Sequence, residues 1–269
     1  MSYDVSPFSN NGNDYILKWG HQPPENTALP VRFLNTGQKK VLEVLKSLQW
    51  ATKNQLALIL NPGNLRKGKK NVDALCDKGY LVQHQLVAFS NSRYISFYTL
   101  SNPMRALMTL PKGARSNVSG VLRRLVVAQM FLRFYQTDPN TTLEEFPDPF
   151  DGVFYIQDMQ FRVAVLRDKF QRDRVYKHLK VMEEKMRTFI VVPDWPDANM
   201  FLELKKQSDF FRVTTDHNLL KESLAHCFWK AGKEGWEEEY IAHFEIRVET
   251  DANSVRNEND HPLLPASDS

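Results

Sequence analysis

A chain of 269 residues, 42% hydrophobic and 25% charged, has the composition of a folded protein with one large or two modest domains, each able to bury a core. Its longest apolar run, LVVAQMFLRF at 125–134, is interrupted by Gln129 and Arg133 and falls well short of the ~20 residues a membrane helix needs. The net charge of +3 conceals an asymmetry: Val31 to Arg115 holds 14 Lys and Arg against Glu43, Asp73 and Asp77, a net +11, and the rest of the chain carries −8. A split of that size points to nucleic-acid contact on the basic side, and with no apolar run long enough to span a bilayer no membrane partner is expected. The opening MSYDVSPFSN has no basic segment followed by an apolar one, so no signal peptide is expected. Cys76 and Cys227 lie far apart and form no CxxC unit, which suits two small core residues in a reducing cytoplasm.

Residues 1–30 are polar and punctuated by proline and read as a flexible arm. GQKKVLEVLKSLQW follows, with Val41, Leu42, Val44, Leu45 and Leu48 at the spacing of an amphipathic helix. Thr52 is the expected N-cap of a second helix over KNQLALIL, which NPGN then breaks. A third helix is predicted from about Asn64 to Gly79, a residue suited to a C-terminal stop. Two β-rich runs, YLVQHQLVAF and RYISFYTL, are joined by SNS. Three helices and a hairpin within about seventy residues is the order of a winged helix-turn-helix, assigned here to residues 31–100.

At 100° per residue the third helix gathers Leu65, Val72, Leu75 and Cys76 on one side. Lys67, Lys70 and Ala74 point the other way, flanked by Arg66 and Asn71. Arg and Lys meet phosphates and guanine edges, Asn pairs with adenine, and Ala leaves room for the backbone to approach. The candidate DNA contacts are therefore Asn64, Arg66, Lys67, Lys70 and Asn71 on this helix, with Asn91, Ser92 and Arg93 in the wing turn. The competing reading is a solvated helix face on a protein–protein module. The basic excess over the whole segment favours DNA.

Residues 101–115 carry two prolines and a glycine and read as a linker. SNVSGVLRRLVVAQMFLRFYQ is then a helix apolar on nearly every side, as helices buried between two layers are. From about residue 150, GVFYI and FRVAVL read as strands, DKFQRDRVYKHLKVMEEKM as a charged helix, and TFIVVP as a buried strand. DANMFLELKKQ is read as a helix, FFRVTT as a strand and HNLLKESLAHCFWK as a last helix. That order implies an α/β sandwich with a mixed sheet over residues 116–249, making the chain α+β overall. Residues 250–269 have the composition of a disordered tail.

Chemistry is sparse in the second half. GARSNVSG is no P-loop, no GxSxG elbow occurs, and His217, His226 and Cys227 lack metal-ligand spacing. WEEEY at 236–240 reads as a solvated acidic run. One constellation remains: Asp151 immediately ahead of one strand, with Asp168 and Lys169 just after the next. Two-metal-type nucleases hold Mg²⁺ and a water with carboxylates and a lysine so placed, yet Arg162 to Leu166 carries no acid.

These features together, DGVFYI, FRVAV, LKVM, TFIVVP and FRVTT behind a three-helix-and-hairpin module, resemble the replication-relaxation family over roughly residues 33–225. The resemblance implies a restriction-endonuclease-like C-terminal half and a role in plasmid or mobile-element replication, relaxation or transfer, including conjugation. It matches the family's aspartate before the first strand to Asp151. The acidic positions of the second strand fall near Ala164 and Leu166, both apolar here, so the nuclease-like site is expected to be degenerate. The expected function is that of a non-catalytic, cytoplasmic accessory that binds double-stranded DNA, pairing as a homodimer or with replication or transfer proteins and needing no cofactor. Two alternatives stand beside it. One is a Mg²⁺-dependent nuclease or nickase using Asp151, Asp168 and Lys169. The other is a winged-helix transcriptional regulator.

Overall fold

A computed structural model describes residues 15–89, 94–113, 115–145, 147–157, 159–181 and 186–244. They form a mixed α/β structure with two sheets. Each of the first helices begins at a cap written into the sequence. Helix α1 (Thr36–Leu48) starts at Asn35, whose side chain accepts from the Gln38 N–H at 2.8 Å while Gln38 reaches back to the Asn35 N–H at 3.1 Å. Helix α2 (Lys53–Leu60) repeats that reciprocal cap with Thr52 and Gln55. Helix α3 (Leu65–Asp77) starts at Asn64 and ends where Gly79, at φ 78°, turns the chain so that the Tyr80 N–H reaches the Leu75 carbonyl. All three helices lie where hydrophobic spacing predicts them.

The α2–α3 contact depends on Gly68, which is buried in the α3 interior. A Cβ there would overlap the Ala57 carbonyl oxygen of α2. Glycine costs about 1 kcal/mol of helix propensity, and close backbone approach is what it permits. Gly68→Ala should therefore destabilise the protein by about 1–3 kcal/mol, the usual range for overpacking. A urea midpoint equal to wild type would show that α2 and α3 do not depend on that approach.

Strands β1 (Tyr15–Lys18), β2 (Ala51–Thr52), β3 (Leu81–Ala88) and β4 (Tyr94–Leu100) make the smaller sheet in the order β1-β3-β4-β2. The β3–β4 hairpin runs in register from Leu81 opposite Leu100 to Val87 opposite Tyr94. Two expectations from the sequence are corrected by this sheet and its surroundings. Residues 15–18, read as part of a flexible arm, form an edge strand antiparallel to β3, with Tyr15 buried and Trp19 packed on His84 and Phe97. Its backbone partners lie about seventy residues away, so no local pattern reveals it. The stretch read as a linker also holds a short helix, α4 (Asn102–Leu107), capped by Ser101 and burying Met104.

Helix α5 (Val118–Thr137) contacts α1, α2, β1 and β2 and also elements of the second sheet. Such a helix needs apolar residues all round, and Leu122, Leu125, Met130, Phe131 and Phe134 are all buried. The polar residues interrupting it are attachments. Gln129 meets the Gln55 amide at 3.2 Å, and the Arg133 guanidinium donates to the Glu222 carbonyl.

The larger sheet comprises β5 (Thr142–Glu144), β6 (Gly152–Ile156), β7 (Met159–Val165), β8 (Arg187–Val192), β9 (Phe211–Thr215), β10 (Phe228–Ala231) and β11 (Trp236–Glu239), paired as β11-β10-β9-β8-β7-β6-β5. Strands β7, β8 and β9 are parallel, and every other pairing is antiparallel. The crossovers are α6 (Lys169–Val181) and α7 (Trp195–Ala198), the latter continuing into a 3-10 stretch, Asn199–Phe210. They cover one face, packing Val175, Leu179 and Phe201 on Ala164, Ile190 and Val213. The opposite face belongs to α5 through an aromatic cluster in which Phe134, Phe161 and Phe228 surround Phe189 at 4.5 to 5.4 Å. Each such pair adds about 0.5–1.5 kcal/mol to simple burial.

Two further expectations change in this half. The last predicted helix is cut short: α8 covers Asp216–Lys221, and FWK belongs to β10, where Trp229 pairs with Val213 and gives β9 its second neighbour. The acidic run at 236–239 is edge strand β11: Glu237 and Glu238 are exposed, as a solvated run should be, but Glu239 is half-buried and paired with Arg212, and Lys230 lies opposite Glu237.

Candidate nucleic-acid interface

Helix α3 presents one face inward and one outward. Gly68, Val72 and Leu75 are buried, while Arg66, Lys67 and Lys70 are exposed, as are Asp77 and Lys78 near its end. Leu65, expected on the inner side, is 37% exposed. Asn64 spends its side-chain oxygen on the Lys67 N–H at 2.9 Å, so it is first of all the helix cap. Asn71 is half-buried at the margin of the basic face.

The charges on this face are arranged against the helix's own interest. Arg66 and Lys67 stand in its first turn, which contains no acidic residue. Unpaired backbone N–H groups already make that end positive, so each cation there costs a few tenths of a kcal/mol. Among the described residues, none of Arg66, Lys67, Lys69 and Lys70 has a carboxylate at ion-pair distance. Asp73, the acid nearest them in the helix, is taken by Lys53 of α2 at 2.5 Å. A phosphate at this face relieves both the mutual repulsion and the dipole penalty. Helix α3 is 13 residues long, or about 20 Å, a length that enters a major groove.

Asn91, Ser92 and Arg93 lie outside the described residues. On either side of them Phe89 and Tyr94 are 65% and 60% exposed. Sequence periodicity counts both as strand residues and misses them as surface aromatics. Their position beside the hairpin tip is the signal that distinguishes them.

In the second half Asp151 is engaged by groups of its own chain. Its side chain is fully buried. One carboxylate oxygen accepts from the Arg123 guanidinium of α5, the other from the Val165 N–H at 2.8 Å, and its carbonyl accepts from Arg124 at 3.1 Å. Burial raises its pKa above the ordinary carboxylate value, opposed by Arg123 and the Val165 N–H. Asp168 is exposed and accepts from the Gln171 N–H at 2.8 Å as the first turn of α6 forms. Lys169, the first residue of α6, is exposed. Ala164 and Leu166 are wholly buried among apolar side chains. Among the described residues, no three His, Cys, Asp or Glu side chains stand together as a metal-holding group.

Sequence reasoning also missed a deeply buried ion pair in this half. Arg167 follows β7 and Asp216 follows β9, and one guanidinium nitrogen meets both carboxylate oxygens at 2.8 and 2.9 Å. Desolvation raises the Asp216 pKa. The two residues are 49 positions apart, and only the parallel β7-β8-β9 pairing unites them.

No helix among the described residues is long and apolar enough to cross a membrane. Models of known protein families and curated proteins give no match to this chain, so the exposed face of α3 is the feature from which a function can be read.

Proposed function

We propose that the chain is a double-stranded DNA-binding protein of winged helix-turn-helix type, with α3 in the major groove and the β3–β4 hairpin as the wing. The observation that carries the reading is the exposed set Arg66, Lys67 and Lys70 at the positive end of α3, without acidic partners among the described residues. The net +11 of residues 31–115 supports it as the wider electrostatic footprint. Phe89 and Tyr94 would extend the wing's contact beside a minor groove, where apolar side chains act as wedges. The second half, in this reading, is a restriction-endonuclease-like scaffold without cleavage. The engagement of Asp151 by Arg123 and Val165 supports that, as do the apolar Ala164 and Leu166. The resemblance to the replication-relaxation family suggests plasmid or mobile-element replication, relaxation or transfer as the setting, with the protein as an accessory.

Duplex affinity should fall steeply with salt, because phosphate contacts release counterions. Replacing Lys67 and Lys70 together by alanine should lower the log–log salt slope by about 2, roughly one for each phosphate no longer neutralised. An unchanged slope in a folded double variant removes α3 from the interface. Mapping the bound sites then tests the accessory role: occupancy of origins or transfer regions supports it, and occupancy confined to promoters replaces it with transcriptional regulation.

A further inference from the structure

A cavity of about 260 Å³ opens in the N-terminal half, and no residue of α3 lines it. Four stretches distant in sequence build it: residues 19–22 after β1, the α1–β2 corner at 49–50, the β3–β4 sheet at His84 and Thr99, and the segment from Asn102 to Arg115. Its walls are aromatic. Trp19 stands edge-on to His84 at 4.9 Å and tilted to Trp50 at 6.5 Å. The imidazole is saturated, since Nδ1 accepts from the Gly20 N–H at 2.8 Å and Nε2 must therefore carry the proton it donates to Thr99 Oγ1 at 2.9 Å. Burial lowers the His84 pKa to about 4, so at neutral pH it offers a flat uncharged ring. With its oxygen accepting from the ring, the Thr99 hydroxyl keeps its own proton to donate.

The rim is cationic. Arg105, Lys112 and Arg115 come from a single short segment. Arg105 is held in place by donating from Nε to the Pro111 carbonyl at 2.6 Å. Lys112 meets Glu25 at 2.5 Å, but both are largely exposed, and such a pair yields to a stronger anion. Three amide side chains, Gln22, Gln49 and Asn102, also line the cavity, the Gln22 oxygen accepting from the Asn102 N–H at 3.0 Å. Gln49 holds φ 66°, a region where a side chain is rarely tolerated, at a cost of about 1–3 kcal/mol. Its amide also reaches Glu145 at 3.3 Å, so the strained residue joins the cavity to the second half of the chain.

We infer that this cavity binds a nucleotide: a heteroaromatic base against Trp19, Trp50 and His84, its edge met by the amides and Thr99, and its phosphate on Arg105, Lys112 and Arg115. An aromatic wall alone takes any planar ligand, and a cationic rim alone takes any anion. Amides lining the same cavity supply both donors and acceptors, as the edge of a base requires. The nucleotide has two sources, a free mononucleotide or a nucleotide extruded from bound DNA.

The test uses the full chain and its tryptophan fluorescence, titrated with each of the four deoxynucleoside monophosphates. The matching nucleosides and inorganic phosphate serve as controls. Separately, DNA carrying 2-aminopurine reports extrusion. A saturable response to a nucleotide, weaker by about tenfold or more for its nucleoside, identifies the free ligand. A 2-aminopurine signal without free-nucleotide binding identifies the extruded one. In either case Lys112→Glu with Arg115→Glu, both at exposed positions, should abolish the response while leaving the thermal midpoint unchanged. The inference is overturned if no nucleotide saturates up to ~10 mM, weaker than any specific site of this kind, and 2-aminopurine is silent. It is equally overturned if the double variant binds like wild type. Lys67 and Lys70 play no part in free-nucleotide binding, and the 2-aminopurine arm is read only on DNA shown to be bound, so failure of the cavity is separable from failure of α3 as the DNA contact.

Discussion

Asp151→Ala should lower the unfolding free energy by about 3 kcal/mol, the lower end of the cost of breaking a buried ion pair. Two groups are deprived of their partner at once. The Val165 N–H is left inside the sheet without an acceptor, which costs about 1–3 kcal/mol by itself. Arg123 keeps its charge beneath α5, although its side chain is 29% exposed and turns partly to solvent, which keeps the total at the lower end. Urea unfolding measures the effect, and a change below ~1 kcal/mol, the level of a surface pair, would mean that Asp151 does not hold α5 to the sheet. Asp151→Leu combined with Arg123→Met should recover only the part of the loss due to Arg123, because two apolar groups leave no unpaired charge while the Val165 N–H still lacks its acceptor. Duplex affinity of the folded fraction should stay near wild type, and no divalent-metal-dependent cleavage is expected to disappear with the carboxylate. Mg²⁺-dependent nicking that vanishes in Asp151→Ala would put the nuclease reading in place of the accessory one.

Acidification should destabilise the protein between pH 6.5 and 4 through His84. The ring is 2% exposed, and its pKa falls from 6.5 to about 4 because burial disfavours the imidazolium. Unfolded chains take up a proton below 6.5 while the folded chain refuses it until about 4. The unfolded state therefore binds more protons in that window, and stability rises with pH across it. The stabilisation is complete above 6.5 and is lost as pH falls toward 4, by about 3 kcal/mol for a shift of this size. His84→Gln tests the source. Its amide oxygen can accept from the Gly20 N–H and its nitrogen can donate to Thr99, but it does not titrate. Stability measured from pH 7 to 4 should lose close to one proton's worth of slope in this variant. A slope equal to wild type would assign the acid sensitivity to other groups.

Whatever depends on near neighbours was legible in the chain. Asn35, Thr52 and Asn64 cap helices because each sits three residues before the N–H it accepts. Val41, Leu45, Val72 and Leu75 recur at helical spacing, and Gly79 stops α3 because glycine tolerates its positive φ. The outward position of Lys67 and Lys70 follows from the same periodicity. The wholly apolar α5 announced a helix with something on both sides without naming either neighbour.

The caps, the helices of the first half, the extended character of GVFYI, FRVAV, TFIVV and FRVTT, and the basic face are thus local outcomes. Each is set by residues within about one or two turns of each other, where side-chain spacing and backbone preference act directly. Long-range packing settled the rest: that Tyr15–Lys18 would be a strand, that FWK would leave its helix for β10, and that Asp151 would pair with Arg123 of α5. The same packing brought Arg167 to Asp216 and gathered the walls of the Trp19–His84 cavity. Those outcomes rest on partners 28 to 65 positions away for Asp151 with Arg123, Arg167 with Asp216, and Trp19 with His84. A backbone group or buried charge takes whichever partner the folded chain delivers, and that delivery is a property of sheet order and core packing rather than of neighbouring residues.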